Sequence, residues 1–78
     1  MRVRFSRSAR RHRVGKARAV YVMEQTEPTL VPAGRYPDDQ YVWVGLDNRG
    51  IELEIVAVEK PDCLLVIHVM PTHLRRDS

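Results

Sequence analysis

Apolar and polar positions change their spacing twice along this chain. In "MRVRF", Val3 and Phe5 alternate with Arg2 and Arg4, a period of two that predicts a short edge strand. Ser6 then offers a hydroxyl to a free backbone N–H, which predicts a short helix through about Arg13. Gly15 opens a second helix, about Lys16 to Gln25. On it Ala19, Val22 and Met23 stand at i, i+3 and i+4, and their face should pack on a sheet. Pro28 ends helical tendency, because the residue before a proline is pushed out of helical angles.

"EPTLVPAGRYPDDQ" (Glu27 to Gln40) is a loop with a brief edge strand near Leu30 and Val31. The spacing then returns to two. "YVWVGL" is β-branched and aromatic, "DNRG" is a turn, "IELEIVAVE" alternates apolar and acidic, and "KPD" is a second turn. "CLLVIHVM" is apolar in both phases, as in an interior or doubly covered strand, and Pro71 should stop it. The expected fold is α+β, with two N-terminal helices on one face of a three- to four-stranded antiparallel meander in one domain, residues 1–78.

Composition narrows the function classes. A chain of 78 residues has a thin core, so a stabilising partner is expected. One cysteine, Cys63, excludes an internal disulfide and the common zinc-finger spacings; it reads as a small core residue in a cytoplasmic protein. Neither a secretory leader nor a membrane-length apolar run is expected. Net charge is only +3, but its distribution is lopsided. Arg2, Arg4, Arg7, Arg10, Arg11, Arg13, Lys16 and Arg18 precede the first acid, Glu24. Such a segment either grips a polyanion or is a solvated face.

The order of pieces resembles the BrnT-type toxins, small members of the RelE/ParE toxin superfamily. The resemblance is carried by "RHRV" (Arg11 to Val14), by Ala19, Val22 and Met23 on the main helix, and by "EP" at its end. "RYPDDQ", "YVWVG" and "NRGIELEIVAV" continue it, so that it spans about Phe5 to Val69. Gly15 replaces the family's polar helix cap, and "IHVMPTHLRRDS" departs from its arginine-bearing strand end. The resemblance implies a RelE/BrnT-like fold and the toxin of a type II toxin–antitoxin module. It implies a bacterial, cytoplasmic, growth-inhibiting ribonuclease held in a hetero-oligomer by an antitoxin, expected to be of ribbon-helix-helix type. No metal or other cofactor is expected.

Metal-free RNA cleavage needs a base for the ribose 2′-hydroxyl, cations for the phosphate and an acid for the leaving oxygen. The acid–base candidates are His68, His12 and His73, and His12 matches the family's histidine. Glu52 and Glu54 alternate outward from Leu53 and Ile55 as solvent-facing residues, either of which could serve as the base. Arg35 and Arg49 are candidates for the scissile phosphate. Arg10, Arg11, Arg13 and Lys16 are candidates for backbone binding, and Tyr36 for stacking on a base, as are Tyr41 and Trp43 unless they serve packing. By alternation, His68 shares a face with Leu64, Val66 and Met70, so it is either a core residue or, if that face is open, the middle of an RNA groove. The rival class is a non-catalytic basic module of the same fold that docks a protein or nucleic acid.

Overall fold

The computed structural model describes residues 2–33 and 38–74. Strand β1 (Val3–Phe5) leads through a single 3-10 turn, Ser8–Arg10, to helix α1 (Lys16–Gln25). Strands β2 (Thr29–Val31), β3 (Gln40–Leu46), β4 (Glu52–Glu59) and β5 (Leu64–Pro71) follow, with a closing 3-10 turn at Thr72–Leu74. The five strands form one sheet in the order β1-β5-β4-β3-β2. β1 runs parallel to β5, and every other pairing is antiparallel. Among the described residues the result is an α+β layer of one helix on a five-stranded mixed sheet.

The expectation of two helices is therefore corrected to one. Ser6 does accept from the Ala9 N–H at 3.2 Å, yet the turn ends within one residue of Arg10. Arg13 sits at φ 56, where its N–H closes on the Arg10 carbonyl at 3.1 Å, and the chain leaves the helical region there. Only Ala9 of the turn is buried. A segment this polar has no apolar stripe to repay the cost of helix nucleation. The meander also gains strands at both edges, for β1 and β2 join it.

Helix α1 has the predicted bounds and buries Ala19 and Val22 against β3 and β4. The Thr26 hydroxyl donates to the Val22 carbonyl at 2.7 Å and closes its last turn. Gly45 is what lets the helix approach: a Cβ there would stand 2.5 Å from Thr26 Cγ2. Beneath the helix lie Trp43, Leu53, Ile55, Ala57, Val66 and Val69, with Phe5 and Leu64 at the margin. Cys63 is buried, as expected. Among the described residues no helix packs on the opposite face, so β5 is interior but helix-covered on one side only.

One irregularity decides where chemistry can occur. Ala57 pairs with Val66, but Val56 pairs with His68, so Ile67 is an extra residue, a β-bulge. The extra residue reverses the alternation. Leu64 and Val66 face the helix, whereas His68 and Met70 face the open side with Val56 and Glu54. The expected grouping of His68 with Leu64 and Val66 is thus corrected. β5 also includes Pro71 rather than stopping before it. Among the described residues, no helix is long and apolar enough to cross a membrane.

Candidate functional site

Strand register orders the open face into cross-strand rows. One row runs Val31, Gln40, Val58, Leu65 and Arg4, from β2 to β1. The next runs Thr29, Val42, Val56 and His68; a third holds Val44, Glu54 and Met70. β1 ends at Phe5, opposite Val66, so the edge of β5 beyond it is free of a strand. The Ser8–Arg10 turn takes that place: the Ser8 hydroxyl donates to the Ile67 carbonyl at 2.8 Å. That bond anchors the turn beside the bulge and brings His12 to His68.

The two imidazoles meet edge to face, with ring centroids 6.3 Å apart. His68 Nε2 is buried without a hydrogen-bond partner of good geometry and lies 3.2 Å from Glu54 Oε1. Burial holds the His68 imidazole below its ordinary pKa of 6.5, so it is neutral at neutral pH. With Nε2 turned inward, Nδ1 is the nitrogen left for a substrate proton. A histidine on a strand and a second one on an adjoining turn are brought together on a surface that solvent reaches, the residue types that acid–base chemistry uses.

The remaining candidates divide. Arg10, Arg11 and Arg13 are exposed on the segment that carries His12. Lys16 belongs to the helix side, its Nζ 5.8 Å from the centre of the Phe5 ring. Arg49 does not join the histidines. It sits in the β3–β4 turn, and the β4 residues between Ile51 and Val56 place it roughly 16 Å or more from the His68 row. That turn has its own anchor, the buried Asp47. Its carboxylate accepts from the Arg49 and Ile51 N–H groups at 2.8 and 2.9 Å and from Arg18 Nε at 2.7 Å. Burial alone would raise the Asp47 pKa, but these donors outweigh it and hold it below the ordinary 3.8. Arg35 and Tyr36 lie outside the described residues.

Tyr41 and Trp43 share a face, as the alternation predicts, but it is the helix face. Trp43 is buried, and Tyr41 donates to Glu59 at 3.2 Å; the Glu59 negative charge and then this bond raise the phenol's pKa. Neither can stack on a base at the open face. His73 belongs to the closing 3-10 turn, and Glu52 is exposed and accepts from the Thr72 hydroxyl at 2.7 Å. Among the described residues, no three His, Cys, Asp or Glu side chains converge as a metal site.

Two participants take places that alternation alone does not give. Arg4 is on the open face, across from Leu65, because its neighbour Phe5 is committed to the core. The alternation of "MRVRF" hints at this, but not which strand β1 joins. Glu54 is half-buried beside His68 rather than simply solvent-facing. No protein-family model, curated protein or solved structure matches this chain, so the meaning of the open face has to be taken from its own residues.

Proposed function

We propose that the protein is a metal-independent endoribonuclease and the toxin of a type II toxin–antitoxin module, with a fold of the RelE/BrnT kind. The observation that carries the nuclease reading is the His12–His68 pair, 6.3 Å apart on an open sheet face beside an arginine-rich segment. The toxin role rests on the resemblance of "RHRV", "EP" and "NRGIELEIVAV" to the BrnT toxins.

In this reading His68 Nδ1 takes the proton of a ribose 2′-hydroxyl as that oxygen attacks the neighbouring phosphorus. The bond from phosphorus to the 5′-oxygen breaks, and His12 in its protonated form delivers a proton to that oxygen. The products are a 2′,3′-cyclic phosphate and a 5′-hydroxyl. Glu54, 3.2 Å from His68 Nε2, stabilises the imidazolium that forms. Arg10, Arg11 and Arg4 hold phosphate oxygens, Arg4 taking the place first expected of Arg49. The RNA requirement follows from the nucleophile, which DNA lacks.

The test is incubation of the purified chain with single-stranded RNA in excess chelator, with analysis of the product termini. Cyclic phosphate is expected, falling by about a hundredfold or more in His68→Ala and His12→Ala. Induced expression should also arrest growth. Folded protein with no cleavage and no growth arrest would contradict the reading.

One observation favours the non-catalytic rival. Val44 and Leu46 are 48 % and 58 % exposed on this same face, an apolar patch of the sort that protein partners cover. An antitoxin seated there reconciles the patch with catalysis in the neighbouring rows; a docking module without activity is the alternative.

A further inference from the structure

A groove of about 520 Å³ adjoins His68 on the open face. Its floor is Val56, Val58, Leu65 and Ile67, and Gln40 stands on β3, at the end across the sheet from β1. At the same rim Lys60 Nζ is held by Asp38 Oδ2 at 2.9 Å. The nuclease reading assigns none of these residues.

We infer that this groove is a nucleobase subsite, which takes one unstacked base of single-stranded RNA and reads its edge with Gln40. The inference rests on the nuclease reading and gives it a substrate class. Three features support a base over another occupant. The floor is aliphatic and suits an aromatic disc better than a phosphate. The polar group lies at the end, where a base has its hydrogen-bonding edge; a glutamine amide both donates and accepts there. Lys60 at the Gln40 rim is held by Asp38, whereas Arg4 on β1 and the arginines beside His12 sit across the row, where the attached ribose-phosphate has to pass. A base in the groove therefore sets its own phosphate at the histidine pair. A duplex, whose bases are stacked and paired, cannot enter, so single strands are selected.

The experiment compares binding of the full chain to short oligonucleotides with a 2′-deoxy sugar at every position, which cannot be cleaved. One set carries bases; a second of equal length and charge carries abasic sites. Base-bearing strands should bind roughly tenfold more tightly, and Gln40→Leu should weaken one base more than the others by a similar factor. Val56→Phe, which fills the floor, should abolish the preference while salt-dependent binding to both sets persists. Thermal melts confirm that both variants fold. Equal affinity for abasic and base-bearing strands would overturn the subsite, even if RNA is cleaved. A base preference in a protein that cleaves nothing would leave the subsite standing and remove the nuclease. Capture of an apolar peptide in the groove with no response to any oligonucleotide would also overturn it, in favour of a protein-docking face.

Discussion

The two faces of the sheet are built from the same three central strands and behave as different materials. On the helix side, Leu53, Ile55, Ala57, Val66 and Val69 are fully buried, and every position is settled by contact with α1 or with its neighbours. On the open side Val58 is buried, but Val56, Leu65, Ile67, His68 and Met70 are only half-buried, although most are as apolar as those beneath. A sheet needs one covered face to fold, and an apolar face left largely uncovered is the kind of surface at which partners and ligands dock. His68 stands on that second face because one extra residue, Ile67, reverses the phase of β5.

The sharpest way to break the contrast is to truncate adjacent residues of β4. Ile55→Ala should cost about 2–5 kcal/mol in denaturant unfolding, and Val56→Ala about 1 kcal/mol or less. Equal losses would mean that the open face is as much a core as the covered one. Gly45→Ala should come next, at about 1–3 kcal/mol, because the new methyl meets Thr26 Cγ2. Thr26→Ser removes that methyl but keeps the hydroxyl bonded to Val22, so the double variant should recover most of the loss.

A smaller effect separates the faces by pH. The folded His68 pKa lies below 6.5, so its contribution is present above that value and is lost as pH falls through it toward the folded value. The midpoint of unfolding should decline on acidification in this range, and His68→Gln should flatten the decline. Asp47, depressed below 3.8, adds a second loss at lower pH, which Asp47→Asn should remove. The smallest effect concerns the turn that carries His12. Arg13 is left-handed at φ 56, and Arg13→Gly should stabilise the fold by about 0.5–1 kcal/mol, read in the same unfolding series.

Much of the covered face was legible. The spacing of Ala19, Val22 and Met23 between Gly15 and Pro28 defines α1 with its observed bounds. The alternation in "IELEIVAVE" identifies Leu53, Ile55 and Ala57 as inward. The open face was much less so. "CLLVIHVM" is apolar in both phases, so alternation cannot locate a bulge within it or say which side receives His68. The residues around Ser8–Arg10 carry a helix cap but no apolar stripe, and the cap alone misleads. Arg4 depends on a parallel pairing with β5, some sixty residues away, which no local pattern encodes. Local periodicity records burial. It does not record which surfaces distant segments bring together.

The claim on which the account stands is that the open face, not the helix side, receives nucleic acid. The direct measurement is an NMR titration of the full chain with a non-cleavable single strand, followed at side-chain resonances of both faces. Shifts at His12, His68 and Gln40, with Tyr21 and Lys16 of α1 left unmoved, are the predicted result. Shifts confined to α1, with both imidazoles unmoved at saturation, would contradict it.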